Sequence, residues 1–259
     1  MSGPRFSDAI GLWTLYAREV RRFLKVYNQT ILAPMVTTML YLAIFALALG
    51  HQAPPVAGVP FLQFLAPGLV AMAIAQNAFA NTSSSLIIAK VQGNIVDTLM
   101  PPLTAAQLTI GLTLGGVTRG LAVGLVAFLA MTPFLGLRVA HPVALAYFAV
   151  SAAAMLSLIG VAAGVWAEKF DQIAGITNFL ITPLTFLSGT FYSVDRLPPV
   201  FLALAHANPF FYMIDGFRWS CIGQSDMNPW LGAAVLAVTN AALWFLCHRM
   251  FAMGYRLKA

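Results

Sequence analysis

The run from Ile31 to Gly50 holds twenty residues without a charge. At 1.5 Å per residue, a helix of that length covers about 30 Å, the hydrocarbon thickness of a bilayer. The run is therefore expected to be a first membrane span, 31–50. His51 to Pro60, with three prolines and a glycine, interrupts the pattern, and Phe61 to Ala89 follows as a second uncharged run, helical despite Pro67 near its start. Apolar runs at 108–131, 143–166, 173–191 and 231–251 predict four more spans, the third of these, which is the fifth overall, broken by Pro183 and Gly189. Polar breaks separate them. Residues 90–107 contain Gln92, Gly93, Asn94, Asp97 and Pro101-Pro102, Thr132 to Pro142 carries Arg138, and Glu168, Lys169 and Asp171 make a charged turn.

Two segments do not fit a simple span. Between Ser7 and Tyr27, Ile10, Leu12, Trp13, Tyr16, Val20, Phe23 and Leu24 recur near helical spacing, with Arg18, Arg21, Arg22 and Lys25 gathered towards one end. This predicts an amphipathic helix lying on the membrane surface, although a plain positively charged anchor explains the pattern as well. The charges running from Asp8 to Lys25 argue against a cleavable signal peptide. Val200 to Ile222 is apolar enough for another span, but Asn208-Pro209 interrupts it. Asp215 and Arg218 would also lie deep in lipid, at about 2.5–3.5 kcal/mol each. Residues 192–230 are expected instead to form a re-entrant helical hairpin, with Asp215 and Arg218, three apart on one helix face, joined as a structural pair. The expected fold is an all-α polytopic membrane protein. It has six transmembrane helices, an N-terminal amphipathic interface helix and a re-entrant hairpin between the fifth and sixth spans.

Composition agrees. Hydrophobic residues are 60% of the 259 and charged residues only 8%, far below the roughly one quarter of a soluble domain. The net charge of +6 does not signal nucleic acid, because the basic residues flank apolar runs rather than forming a stripe. Ten of them (Arg5, Arg18, Arg21, Arg22, Lys25, Lys90, Lys169, Arg249, Arg256 and Lys258) fall on the side of the termini. Three (Arg138, Arg196 and Arg218) fall on the other, which orients both termini to the cytoplasm. Gly111 and Gly115, then Gly116, Gly120 and Gly124, and also Gly160 and Gly164, stand four apart. Such rows suit close helix packing, within the subunit or at a dimer interface.

The sequence contains no G-x-x-x-x-G-K-[ST], H-E-x-x-H or G-x-S-x-G pattern, so no nucleotide cradle, zinc centre or hydrolase is expected in this chain. His51, His141, His206 and His248 are scattered, and Cys221 and Cys247 form no metal or redox motif. Arg119, eleven residues into the third span, stands about 16 Å deep and near the midplane. An ion there lines a pathway or a dimer seam, or is a structural arginine held by neighbouring carbonyls. Phe186, Phe191, Tyr192 and Tyr212 are further candidates for the route or seam, within an aromatic group that includes Phe210, Phe211, Phe217 and Trp219. The group reads either as a membrane belt or as a surface for a lipidic or sugar-bearing substrate. An ion-coupled secondary transporter is the alternative function, opposed by the lack of Asp or Glu in the middle of the six runs.

The order of parts resembles the membrane subunit of ABC-2 type transporters. The most specific stretch runs from Pro183 through Ser188-Gly189, Phe191-Tyr192 and Leu197-Pro198-Pro199 to Asn208-Pro209, Asp215 and Arg218. Phe64-x-x-Pro67-Gly68, and Gly93 to Pro102 with Leu103-Thr104, add to it. The likeness covers nearly the whole chain and is nearest to the short bacterial branch of YadH-like, nodulation-factor-export and polysaccharide-export permeases. It implies a homodimer in the bacterial inner membrane, each copy binding one cytoplasmic ABC ATPase subunit. That subunit holds ATP and Mg, while this chain binds no cofactor or metal, does no covalent chemistry and meets membrane lipid but no nucleic acid. It also implies that the N-terminal helix, through Arg18, Arg21 and Arg22, and the loop 90–107, through Gln92, Gly93, Asn94 and Asp97, couple to the ATPase. The cargo would be an amphiphile such as a lipid-linked saccharide, a lipid or a drug. Gln92 and Asn94 stand where relatives often carry charges around the glycine.

Overall fold

The computed structural model describes residues 6–49, 54–56, 58–99 and 102–256; the expectations for Arg5, Gly50, His51, Met100, Pro101 and Lys258 lie outside them. Among the described residues the regular structure is helical. Helix α1 (Phe6–Leu24) runs through a short turn and one π-helical turn (Asn28–Leu32) into α2 (Ala33–Leu49). Helix α3 (Phe61–Val91), α4 (Ile95–Leu99), α5 (Ala105–Leu135) and α6 (Pro142–Trp166) follow. Next come α7 (Phe170–Ile176), a second π turn (Thr177–Ile181) and α8 (Thr182–Leu187). Helices α9 (Pro199–Ala207), α10 (Pro209–Ile222) and α11 (Pro229–Ala252) close the chain.

Local chemistry sets the boundaries. Thr104 and Gln107 form a reciprocal capping box that starts α5. Asn208 and Asn228 cap α10 and α11, each followed by a proline at the first helical position, where no N–H is missed. Gly136 (φ +60) and Gly223 (φ +73) end α5 and α10 in the left-handed conformation. Each π turn ends two residues before a proline, Pro34 or Pro183. A proline ring crowds the carbonyl four residues back, and the wider π turn relieves that clash without ending the helix.

Among the described residues, five helices are long and apolar enough to cross a membrane: Asn28–Leu49, Phe61–Val91, Ala105–Leu135, Pro142–Trp166 and Pro229–Ala252. The expected fifth span, 173–191, is not among them. It is the broken helix α7–π–α8, in which Asp171, Gln172 and Asn178 lower the hydropathy. That helix nevertheless leaves the end of the bundle that holds Trp166 and finishes beside Phe64 at the other end, where Arg218 bonds both Gly189 and Phe64.

Helix α3 is the axis of the bundle, 78% buried against 11% for Asn28–Leu49 and 17% for Pro229–Ala252. Glycines let α5 and α6 approach it. A Cβ on Gly120 would lie 2.8 Å from the Ile74 carbonyl, and one on Gly160 would lie 2.6 Å from the Phe79 carbonyl. Gly111 and Gly115 serve a different neighbour, facing Leu15 and Glu19 of α1. The expected small-residue rows thus pack helices within the subunit.

Two expectations are corrected by this packing. Helix α1 does not simply lie on a surface: Leu15 and Glu19 pack against α5, Glu19 also reaches Ser85 of α3, Phe23 is buried, and Tyr16 bonds Thr118 (3.0 Å). A carboxylate can be buried there because two arginines and a serine satisfy it. Asp215 and Arg218 also do not pair; no ion pair joins them among the described residues. Each is hydrogen-bonded to other groups instead.

Candidate translocation groove and coupling face

Asn77 and Asn81 stand four apart on α3, followed by Ser84 and Ser85, which puts a polar strip on one face of an otherwise apolar helix. Helix α1 brings Glu19 and Arg22 to that strip. Glu19, 1% exposed, accepts from Ser85 (2.8 Å), Arg18 (3.3 Å) and Arg22 (3.1 Å). Arg22 also donates to the Asn81 carbonyl (2.6 Å) and side chain (3.1 Å) and to Ser84 (3.2 Å). Halfway along α5, Arg119 reaches Asn77 Oδ1 at 3.1 Å. Its partner is thus an amide carbonyl rather than a carboxylate.

Beyond this strip lies a groove of 550 Å³. Its back wall is α3 from Met72 to Ser84, and its sides are α2 from Ala33 to Tyr41 and the stretch from Ile173 to Thr182. Gln29, Thr37, Thr38, Gln76, Asn77 and Thr177 make this part polar. Tyr41 also lines an adjoining 680 Å³ cavity with Phe45, Phe186, Phe191 and Tyr192, where the Phe45 and Phe191 rings stack at 5.3 Å. Three of the four aromatic route candidates therefore meet in one place. Tyr212 does not join them. It is buried in the core, donating its hydroxyl to the His206 carbonyl (3.0 Å), with its ring beside Gly232.

The stretch from Pro183 to Arg218 closes one end of the bundle. Asn208 donates to the Leu184 carbonyl (3.0 Å) and to Ser188 (2.8 Å), which holds the start of α10 against the end of α8. Arg218, 1% exposed, bonds the carbonyls of Gly189 (2.5 Å) and Phe64 (3.3 Å) and sits 3.9 Å over the Phe64 ring. Gly68 leaves the room, since a Cβ there would stand 2.5 Å from the Thr190 carbonyl. Asp215 accepts from Ser225 (2.6 Å) and the Asp226 N–H (2.8 Å), and Asp226 accepts from Ser193 (3.0 Å) and the Val194 N–H (3.1 Å). The S-G, N-P and D-x-x-R elements are hydrogen-bonding partners across separate turns.

At the opposite end, Lys90 donates to the carbonyls of Val165 and Ala167. Arg256 bonds the Trp166 carbonyl (3.0 Å) and lies 3.6 Å from Glu168. Gly93 (φ +74) closes α3: its own N–H bonds the Lys90 carbonyl and the Asn94 N–H bonds that of Ala89. The chain then enters α4, with Gln92, Gly93, Asn94, Val96 and Asp97 all exposed. Of the arginines expected to face a partner, Arg21 is exposed and so is Arg18, beside Glu19, but Arg22 is committed inward to Glu19, Asn81 and Ser84.

The ABC-2 type transporter family pattern matches residues 11–222. The chain belongs to the ABC-2 type transporter family. This permease is 36% identical over 250 residues to the inner membrane transport permease YadH of Escherichia coli strain K12, covering 96% of this chain and 98% of YadH. It is 29% identical over 231 residues to nodulation protein J of Rhizobium leguminosarum bv. viciae (86% and 87% covered). To nodulation protein J of Rhizobium meliloti it is 25% identical over 238 residues (90% and 89%). It is thus the membrane component of an ABC transport system, a protein of several membrane-spanning helices.

Sequence reasoning missed Glu19, Asn77, Asn81 and Asp226. Asn77 and Asn81 could have been found from their helical spacing inside an uncharged run. Glu19 could not, because a glutamate among arginines on a surface helix and one carried into a bundle are written alike.

Proposed function

We propose that the permease moves an amphiphilic substrate out across the inner membrane by alternating access, driven by a separate ATPase subunit. The whole chain acts as one transmembrane domain. The observation that carries this reading is the groove: polar beside Asn77, aromatic beside Phe191, and walled by α2 and α7–π–α8, the parts of the bundle with the least cover. A second copy set against those elements would turn a lateral groove into an enclosed route. Two copies of the permease would carry two ATPase subunits, each seated on the exposed turn from Gln92 to Asp97 and on the Arg18 and Arg21 side of α1. The π turns at Gln29 and Thr177 line the groove and are places where its walls could bend.

The test is substrate accumulation in inverted membrane vesicles containing the permease and its ATPase. ATP should drive uptake that survives an uncoupler of the proton gradient. Uptake abolished by the uncoupler and unmoved by ATP would mark an ion-coupled carrier instead.

Six crossings with both termini cytoplasmic follow from the charge bias, with α7–π–α8 as the fifth crossing and α9–α10 as a hairpin that enters and leaves on the outer side. Cys221 and Cys247 are buried, so introduced cysteines report cleanly. Gln224→Cys should label in intact cells and Gln92→Cys only after permeabilisation. The reverse pattern would invert the topology.

Coupling is tested at the exposed turn. Asp97 is on the surface, and a Cβ at Gly93 would meet nothing within 4 Å, so neither position is needed for packing. Asp97→Arg, and Gly93→Val, which strains the positive φ, should weaken ATPase binding or uncouple hydrolysis from export while membrane abundance stays at the wild-type level. Normal coupling in both variants would remove this turn from the ATPase contact.

A further inference from the structure

The arginine cluster behind the groove is short of acceptors. Glu19 is the carboxylate that pairs with Arg22, and no carboxylate pairs with Arg119 among the described residues. The charge of Arg22 also acts repulsively on Arg119. Arg22 Nε, Arg119 Nε and Asn81 Nδ2 are buried without a hydrogen-bond partner, and buried donors of this kind are costly to leave open. The acceptors that Arg119 and Arg22 do have on the groove side, Asn77 Oδ1 (3.1 Å) and Ser84 Oγ (3.2 Å), belong to residues that line the groove. Neutral oxygens are the weaker partners for a guanidinium, whose planar fork is matched by a carboxylate or phosphate. The arginines themselves do not line the groove; Asn77 and Ser84 stand between them and a cavity large enough to admit a head group, and Tyr41 links that cavity to the aromatic one.

We propose that the groove holds an amphiphile whose anionic, phosphate-like head group seats against Arg119 and Arg22 beside Asn77 and Ser84, with its apolar part running past Tyr41 towards Phe45, Phe186 and Phe191. This deepens the reading of the groove as the substrate route and rests on it. The head group neutralises the cluster and replaces the two neutral acceptors, while an uncharged amphiphile of the same length leaves the cluster as it is.

Binding, rather than transport, tests this, so failure here is separable from failure of the exporter reading. The full-length permease, in nanodiscs of uncharged phosphatidylcholine, is titrated with dodecyl phosphate, dodecyl maltoside and inorganic phosphate, with the unfolding midpoint recorded for each variant. Dodecyl phosphate should bind at least about tenfold more tightly than dodecyl maltoside, the size of one charge-assisted hydrogen bond. Arg119→Gln should remove that preference while leaving dodecyl maltoside binding unchanged, and Arg22→Gln should do the same if it folds. Ala80→Phe, which fills the groove wall, should weaken both amphiphiles. Equal affinity for the two, or a phosphate preference that survives Arg119→Gln, would overturn the proposal. Inorganic phosphate competing as well as dodecyl phosphate would also overturn it, since the ligand would then be a free anion with no use for the aromatic half.

Discussion

Arg119→Leu is expected to insert and reach the membrane at least as well as the parent protein and yet to lose most of its export, by about tenfold or more. The insertion half follows from cost. An arginine at the centre of a span carries about 2.5–3.5 kcal/mol on the insertion scale, and leucine removes that penalty. The transport half follows from position. Arg119 stands halfway along α5, and its one described hydrogen bond goes to Asn77, a lining residue of the groove. Removing it withdraws the charge nearest the middle of the proposed route, and one charge-assisted hydrogen bond of about 1.5–3 kcal/mol corresponds to tenfold or more. Arg119→Lys should restore only part of the rate, because an ammonium lacks the planar fork. Export is measured beside membrane abundance and dimer content. Full export by the leucine variant would show that the arginine is only a structural charge satisfied by Asn77.

The second large effect is on assembly. Gly160→Leu should destabilise the permease by several kcal/mol, lowering its unfolding midpoint in detergent and its abundance in the membrane. A Cβ at Gly160 would fall 2.2 Å from Thr82 Oγ1 and 2.6 Å from the Phe79 carbonyl. The carbonyl is α3 backbone and cannot rotate away, so α6 must move off the central helix; overpacking typically costs about 1–3 kcal/mol even when side chains can yield. The shift would also break the Thr82 hydrogen bond to the Ser157 carbonyl (2.8 Å). Gly175→Leu is the control, since a Cβ there meets nothing within 4 Å. Its stability should stay within about 1 kcal/mol of the parent, as for an ordinary surface change. Equal tolerance of both substitutions would mean that the α3–α6 seam is looser than its glycines imply.

What could be read from the chain alone is what depends on neighbours in sequence. Membrane partition needs only a run of uncharged residues long enough to span the hydrocarbon, so five spans were legible from composition and spacing, and the glycine rows announced close packing. The turn chemistry at Gly93, Thr104 and Asn208 was equally local. The broken fifth span marks a limit of that reading. Pro183 was visible, but a π turn that keeps the helix going depends on which carbonyls have room to widen.

The tertiary structure decided everything that depends on which helix faces which. Asp215 and Arg218 share a helix face by spacing, yet the Gly189 and Phe64 carbonyls surround the arginine, while Ser225 and the Asp226 N–H serve the aspartate. Tyr212 belongs by type with Phe186, Phe191 and Tyr192, but α10 turns it into the core. Glu19 and Arg22 resemble surface charges until Gly111 and Gly115 let α1 settle against α5, carrying both to the polar face of α3. Sequence spacing determines which side chains share a face. The partner of that face is set by long-range packing, where a buried charge settles wherever enough donors and acceptors converge on it.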